Sequence, residues 1–198
     1  MQALAGLGNP GAQYAATRHN AGWMLLDALA ERGRVLDQRE KENVHLARLQ
    51  LGPDSIWLLR SKTYMNDSGR AVAQACQTLQ LQPADVLVAY DDIDLPLGQI
   101  RIRRNGGAGG HRGMESLIQH LGTQRFPRVR LGVRGEGRGR DSAYQDTADY
   151  VLSEFETDEV PTLEEMIDRG VAAVRMIMRR GLGTAMNSYN QKPKEPTE

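Results

Sequence analysis

Cysteine is almost absent from this sequence of 198 residues, which contains only Cys76. A single thiol cannot close a disulfide within the chain or build a zinc site from several cysteines, so disulfide scaffolds and zinc ribbons are excluded. Cys76 falls in an apolar run with helical spacing. This setting favours a small core residue in a reducing compartment over the alternative, a reactive nucleophile.

Long hydrophobic segments are also missing. The N-terminus, residues 1–4, has neither the basic region nor the long apolar segment of a signal peptide. Asp27 interrupts the most apolar early stretch, residues 21–30, so a membrane-spanning helix is not expected there. We therefore predict a cytoplasmic protein without a membrane segment.

Three signatures of common enzyme classes are absent as well. The sequence contains no G-x-S-x-G, no H-E-x-x-H and no G-x-x-x-x-G-K-[ST] motif. Serine hydrolases with a nucleophile elbow, zincins and P-loop proteins therefore have no support in the sequence.

An excess of charge of one sign is missing too, since 25 basic side chains balance 25 acidic ones. This balance does not favour a protein that coats nucleic acid. The distribution is uneven, however: residues 101–140 contain ten arginines and two acids, a net charge of +8, and residues 153–168 contain seven acids and no lysine or arginine. We predict one acidic helix and one basic face for a phosphate-bearing partner, with arginines scattered over the surface as the alternative.

Short apolar strands alternate with amphipathic helices along the chain. The patterns predict strands near 3–8, 43–51, 55–60, 85–90, 99–103 and 128–133, and helices near 19–32, 68–81, 114–121 and 158–180. We therefore predict an α/β fold, a single domain over residues 1–190 with a mixed twisted β-sheet flanked by helices on both faces. Residues 191–198 are predicted to be a disordered polar tail, and residues 135–141 a flexible basic segment.

The motif Gly6-Leu7-Gly8-Asn9-Pro10-Gly11 matches the G-x-G-x-x-G spacing of dinucleotide-binding loops. Pro10 argues against that function, because it has no backbone N–H for a pyrophosphate. Residues 12–18 also separate this loop from the predicted helix. A nicotinamide-dependent oxidoreductase is therefore a minor alternative, and a tight turn accounts equally well for the glycines.

Two segments can supply a general base and its partner. His19 lies at the predicted start of the first helix, where it can act on water or serve only as a surface or capping residue. Asp91, Asp92 and Asp94 follow the strongest predicted strand, at the edge where open α/β sheets bind ligands. These acids can bind Mg²⁺ with the help of phosphate or further carboxylates, or one of them can orient a histidine, which requires fewer partners.

Two further residues are candidates with open roles. His111 lies in the glycine-rich segment 105–113 and is a second candidate for the base. Asn66 precedes the second predicted helix, where its amide can cap the helix or contact a ligand.

Four segments in this order resemble the bacterial peptidyl-tRNA hydrolase family, namely residues 6–22, 62–72, 90–103 and 106–118. The resemblance extends over nearly the whole chain up to the tail. It implies a monomeric cytosolic enzyme with a mixed twisted sheet that requires no cofactor and no metal. It also implies the reaction, hydrolysis of the ester bond between a peptide and the ribose of its tRNA, which recycles peptidyl-tRNA released by ribosomes.

The resemblance also implies catalytic roles for individual residues. The general base falls on His19, and the acid that stabilises it falls on Asp91. The amide that senses the blocked nitrogen of the peptidyl group falls on Asn9, which allows free aminoacyl-tRNA to escape.

Contacts to the tRNA end or the peptide fall, by the same resemblance, on Tyr14, Tyr64 and Asn66. The sequence departs from the family where the usual Gly-His-Asn-Gly reads Gly110-His111-Arg112-Gly113. A guanidinium cannot accept a hydrogen bond but can pair with phosphate, so we expect Arg112 to bind tRNA.

The implied partner is peptidyl-tRNA, contacted at its acceptor end and phosphate backbone. A relative that binds RNA without hydrolysis is the alternative.

Overall fold

The computed structural model of the chain describes residues 1–136 and 147–191. The predicted tail lies almost wholly outside these ranges, as does most of the predicted flexible segment. The strands are β1 (Ala3–Gly6), β2 (Arg34–Glu40), β3 (Val44–Leu51), β4 (Asp54–Ser61), β5 (Val86–Pro96), β6 (Ile100–Arg103) and β7 (Arg128–Arg134). The helices are α1 (Ala21–Glu31), α2 (Ser68–Leu79), α3 (Arg112–Leu121), α4 (Thr147–Val151), α5 (Val160–Arg180) and α6 (Leu182–Tyr189).

The strands form one mixed sheet in the order β2-β3-β4-β1-β5-β7-β6. The four central strands, β4, β1, β5 and β7, run parallel to their neighbours among these four. The outer strands β2, β3 and β6 pair in antiparallel fashion. The predicted mixed sheet is therefore confirmed, and the carboxyl ends of the four parallel strands meet at one edge.

Helices cover both faces of the sheet, as predicted. Alternate residues of a strand point to opposite sides, so both faces carry apolar side chains that the helices bury. Leu4 packs in the core formed with α1, α5 and α6, whereas Ala3 and Ala5 pack in the core formed with α2 and α3. Cys76 lies in this second core, and burial raises the pKa of its thiol to about 11. Its interpretation as a small core residue is confirmed.

Several elements differ from the sequence-based expectations, among them α4 and α6, which were not predicted. β2 was not predicted, because its residues are almost all exposed and show no alternation of apolar side chains. β5 continues through the acidic residues to Pro96 instead of ending at Tyr90, since β7 still pairs with it at Asp91 and Asp92. The predicted separation of the glycine loop from the first helix is confirmed: α1 begins at Ala21, ten residues after Gly11, so the loop does not lead into an α-helix N-terminus as dinucleotide binding requires.

Within the described ranges, the helices are too short or too polar to cross a lipid bilayer.

Candidate active site

A cleft of about 1040 Å³ opens at the carboxyl edge of the parallel strands. The loops after β1 and β4 line it, together with part of β5, the glycine-rich segment before α3, and α4. β1 ends at Gly6, which is paired with Ala89, whereas β5 continues well beyond that point. The next residues of β5 therefore have no neighbouring strand on the β1 side, and Asp91 lies at this opening.

His19 is carried by a 3-10 turn, Arg18–Asn20, that leads directly into α1. The start of α1 approaches the sheet closely because Gly22 has no side chain. A Cβ atom at Gly22 would lie 2.6 Å from the backbone oxygen of Leu7 and would also contact the backbone oxygen of Ala89. This close approach brings His19 against β5, where its side chain is 11% exposed.

Asp91 joins the two candidate histidines. His19 Nδ1 lies 2.9 Å from each carboxylate oxygen of Asp91, and His111 Nε2 lies 3.0 Å from Oδ1. Burial by itself would raise the pKa of the Asp91 carboxyl, but the charges and hydrogen bonds of His19 and His111 hold that pKa well below its usual range. Asp91 is therefore ionised at neutral pH and accepts hydrogen bonds from both rings.

The hydrogen bonds also determine which ring nitrogens carry protons. The backbone N–H of Met114 donates to His111 Nδ1 at 3.2 Å, so His111 in its neutral form carries its proton on Nε2 and donates it to Asp91. His19 Nδ1 likewise donates to Asp91, which leaves a lone pair on Nε2. Within the described part of the chain, Nε2 of His19 has no hydrogen-bond partner, and His19 lines the cleft. His19 is thus placed to accept a proton from water.

The donor atoms of His19, Asp91 and His111 lie within 4.8 Å of one another, a spacing that a metal ion could use. A metal bound to His111 Nε2 would require the ring proton to move to Nδ1, where it would oppose the N–H of Met114. The three side chains therefore fit a hydrogen-bonded cluster better than a metal site. Asp91 is bonded to the two histidines and Asp92 pairs with Arg130, so two of the carboxylates proposed for Mg²⁺ already have protein partners.

Asn9 lines the same cleft and is held from two sides. Its Oδ1 accepts a hydrogen bond from the backbone N–H of Met65 at 2.7 Å, which orients the amide so that Nδ2 is the remaining donor. Asn20 bonds to the backbone of Asn9 through both ends of its amide, at 2.8 and 3.1 Å. Asn20 was not among the predicted site residues. In the sequence, its position next to His19 was the only indication that Asn20 belongs to the site.

The sequence profile of the family described as peptidyl-tRNA hydrolase matches residues 3–197. The chain belongs to the peptidyl-tRNA hydrolase family. A curated peptidyl-tRNA hydrolase from Desulfitobacterium hafniense (strain Y51) is 46% identical over 191 residues, covering 96% of this chain and 100% of the relative. Another, from Synechococcus sp. (strain JA-3-3Ab), is 47% identical over 192 residues, covering 96% of this chain and 83% of the relative.

Solved structures of peptidyl-tRNA hydrolases share the fold. The crystal structure of the enzyme from Acinetobacter baumannii matches with a TM-score of 0.84 and 30% identity, covering 96% of this chain and 94% of that chain. The crystal structure of a peptidyl-tRNA hydrolase in complex with N-propanol matches with a TM-score of 0.86 and 29% identity, covering 98% of this chain and 97% of that chain. The predicted family and fold class are therefore confirmed.

The residues for which membership of the peptidyl-tRNA hydrolase family predicts substrate contacts lie at or near the rim of the cleft. Tyr64 lines the cleft and is 58% exposed. The ring of Tyr14 is perpendicular to the Tyr64 ring at a centroid distance of 6.4 Å, and Tyr14 does not itself line the cleft. Asn66 is exposed and lines the cleft. The alternative that Asn66 caps α2 is wrong, because the residue at that position is Asp67.

The arginines that line the cleft fall into two groups. Arg128 and Arg130 are bound to the protein itself: Arg128 donates to the backbone oxygens of Gly107 at 2.9 Å and Gln124 at 3.1 Å, and Arg130 pairs with Asp92. Burial lowers the pKa of the Arg128 guanidinium. This pair therefore organises the cleft wall.

The second group is exposed to solvent. It consists of Arg103, Arg104 and Arg112, which line the cleft and have no ion pair within the described part of the chain. Arg112 is the first residue of α3. Arg101, Arg125 and Arg134 do not line the cleft, and residues 138 and 140 lie outside the described ranges. The basic stretch therefore contains both a cleft group and scattered arginines.

Proposed function

We propose that this protein hydrolyses the ester bond between the peptide and the tRNA of peptidyl-tRNA, using water activated by His19. The observation that carries the proposal is the pair of His19 and Asp91 at the cleft. A buried, ionised carboxylate holds the Nδ1–H of the imidazole and leaves Nε2 available to water. The family supplies the substrate class, and an ester requires only an activated water and a place for the oxyanion.

In the proposed reaction, His19 Nε2 takes a proton from water while the water oxygen attacks the carbonyl carbon of the ester. The π electrons of the carbonyl move to its oxygen, which becomes the oxyanion of a tetrahedral intermediate. Collapse of this intermediate restores the carbonyl and breaks the bond to the ribose oxygen, which takes the proton from the imidazolium. Asp91 stabilises the imidazolium because its carboxylate oxygens lie 2.9 Å from Nδ1.

Asn9 selects substrates whose amino group is blocked. Because its Oδ1 is bonded to Met65, the amide presents the Nδ2 donor to the cleft. The acyl group of a peptidyl-tRNA has a carbonyl oxygen that can accept from Nδ2, whereas the ammonium group of a free aminoacyl-tRNA has only donors. We therefore expect unblocked aminoacyl-tRNA to escape hydrolysis.

Binding of tRNA is assigned to the exposed groups of the cleft. Arg103, Arg104 and Arg112 are placed to contact phosphates without regard to sequence. Tyr64, with the Tyr14 ring perpendicular to it, presents an aromatic surface to the tRNA end or the peptide. Asn66 or a backbone N–H of the cleft supports the oxyanion.

The experiment compares hydrolysis of N-acetyl-aminoacyl-tRNA and unblocked aminoacyl-tRNA by the natural protein and by the variant His19→Ala. A general base contributes about 10²–10⁴-fold, so the variant should lose that much in kcat while its tRNA affinity is unchanged. His45→Ala is the matched control, because His45 lies on β3, bonded to Glu40 and away from the cleft.

Selective cleavage of the blocked substrate, lost with His19 and kept in the control, supports the proposal. Normal turnover by His19→Ala would show that His19 is not the base. Tight tRNA binding by a natural protein that cleaves neither substrate would identify an RNA-binding protein on a hydrolase fold. In that case Arg112→Asn is the first reversion to make.

A further inference from the structure

Arg18, the residue before His19, is completely buried and has a partner for every part of its guanidinium. Nη1 donates to the backbone oxygen of Val133 at 3.0 Å, Nη2 pairs with the carboxylate of Glu159, and Nε donates to Ser153 Oγ at 3.3 Å. The three partners lie at the carboxyl end of β7, just before α5, and after α4. A guanidinium can satisfy such a set because its donors point in fixed directions within one plane.

Further contacts stabilise the position of the turn that contains Arg18, residues Arg18–Asn20. The backbone N–H of Arg18 donates to the backbone oxygen of Ser153 at 3.0 Å, and Thr17 forms an isolated β-bridge with Glu154. The guanidinium lies over the ring of Tyr150 at 4.6 Å and over the ring of Phe155 at 4.7 Å. The turn is thus bound to a segment about 135 residues further along the chain, mainly through contacts of Arg18.

The attached turn is short and carries two site residues. Arg18, His19 and Asn20 form one 3-10 turn, in which His19 meets Asp91 and Asn20 holds Asn9. A displacement of Arg18 would therefore move the base and the selecting amide together. Burying a guanidinium is costly unless its geometry is well satisfied, and apolar residues of similar volume often stabilise a fold equally well. Stability alone does not explain a directional side chain at this position.

We propose that Arg18 is a positioning residue, which sets the distance of His19 from Asp91 by attaching the turn to β7 and to the start of α5. This inference rests on the proposed function, since it assigns to Arg18 the placement of the proposed base. Arg18 itself does not line the cleft.

The test replaces the guanidinium by an ammonium. Arg18→Lys keeps the positive charge beside Glu159 but loses the planar arrangement that also reaches Val133 and Ser153. The matched control is Arg32→Lys. Arg32 also joins the chain around α1 to α5, through Asp168 at 2.5 Å, but it lies beyond the far end of α1 and is 40% exposed.

Two quantities are measured for the natural protein and both variants. One is kcat and KM with N-acetyl-aminoacyl-tRNA, and the other is the NMR signal of the His19 Nδ1–H in protein labelled with ¹⁵N-histidine. We expect Arg18→Lys to lower kcat about 10- to 100-fold with KM nearly unchanged, because a small misplacement of a catalytic group has effects of this size. We expect its Nδ1–H signal to shift and broaden, whereas Arg32→Lys retains the natural kcat and signal.

If folded Arg18→Lys has the same kcat and the same His19 Nδ1–H signal as the natural protein, the inference is overturned. A raised KM with natural kcat would also overturn it, because Arg18 would then hold the cleft wall through α4 and not the base. If Arg18→Lys does not fold, Glu159→Ala decides, since it removes the acceptor for Nη2 and leaves the Arg18 side chain in place. Reduced kcat with an altered signal in this variant supports the inference, and natural values overturn it. Failure of the proposed function is distinguishable, since the natural protein itself would then cleave neither substrate.

Discussion

Asp91 serves two histidines that have different tasks. His19 presents Nε2 to the cleft, whereas His111 uses Nδ1 to accept the backbone N–H of Met114 at the start of α3. Both rings donate their other N–H to the same carboxylate. The charge on Asp91 therefore maintains the tautomer of the proposed base and the cap of a helix together.

The lowered pKa of Asp91 predicts how its contribution to stability depends on pH. An unfolded aspartate has a pKa of about 3.9, and the folded value is lower, so the stabilisation is complete above about pH 4 and is lost as pH falls through the folded pKa. Urea unfolding of the natural protein and of Asp91→Asn should show a smaller difference in the free energy of unfolding at pH 3 than at pH 5. An equal or larger difference at pH 3 would contradict the assigned direction of the shift.

Some site residues could be predicted from the sequence because the signal is local. His19 and Asp91 lie near the predicted start of a helix and end of a strand, where ligands are expected in an α/β sheet, whereas Asn9 was indicated by the family resemblance. The role of Asn20 and the proton position on His111 could not be predicted. They depend on hydrogen bonds between loops whose relative placement only the folded sheet determines.

At the scale of elements, the site depends on how closely α1 approaches the sheet. Gly22 permits this approach, because the backbone oxygens of Leu7 and Ala89 occupy the place where its Cβ would lie. The turn that carries His19 ends at Asn20, only two residues before Gly22. Any outward shift of this end of α1 therefore moves His19 away from Asp91.

We predict that Gly22→Ala lowers the free energy of unfolding by about 1–3 kcal/mol, the usual effect of inserting a methyl group into a packed interior. It should also lower kcat, because the start of α1 must move. Gly183→Ala is the matched control, since Gly183 is an exposed residue of α6 with no atom within 4 Å of the added Cβ. We expect this control to have equal or slightly higher stability.

Thermal melting and kinetics of both variants test the prediction. If Gly22→Ala melts and turns over like Gly183→Ala, the close approach of α1 is not required for the site.

The elements themselves were predictable to different degrees. β5 and α5 have strong apolar patterns because each packs into the core, and both were predicted, although β5 extends further than expected. β2 is held by hydrogen bonds to β3 at the edge of the sheet, with its side chains in solvent. Backbone pairing at an exposed edge leaves no hydrophobic period in the sequence, so this strand could not be recognised.

At the scale of the whole molecule, zero net charge conceals a local concentration of arginines at the cleft. Arg128 and Arg130 are bound to the protein, so we assign salt-sensitive tRNA binding to Arg103, Arg104 and Arg112. The sequence predicted the basic stretch but could not separate these groups, because the partners Gly107, Gln124 and Asp92 become visible only in the fold.

We predict that tRNA affinity falls as salt concentration rises, and that replacing Arg103, Arg104 and Arg112 by Gln reduces the slope of log K against log salt. Each phosphate contact that is lost should change the slope by about 0.7–0.9. Arg125→Gln is the control, because Arg125 is exposed and does not line the cleft. Affinity measurements between low and moderate salt test this, and equal slopes for the triple variant and the control would contradict it.

The direction of the parallel strands has a practical consequence for handling the protein. β4 runs parallel to β1, so the turn between β3 and β4, with exposed Gly52 and Pro53, lies at the opposite edge of the sheet from the cleft. A fluorophore or a surface tether attached at this turn would face away from the substrate. Molecules immobilised there would all present the cleft outward, the orientation that a sensor chip or a single-molecule recording of tRNA binding requires.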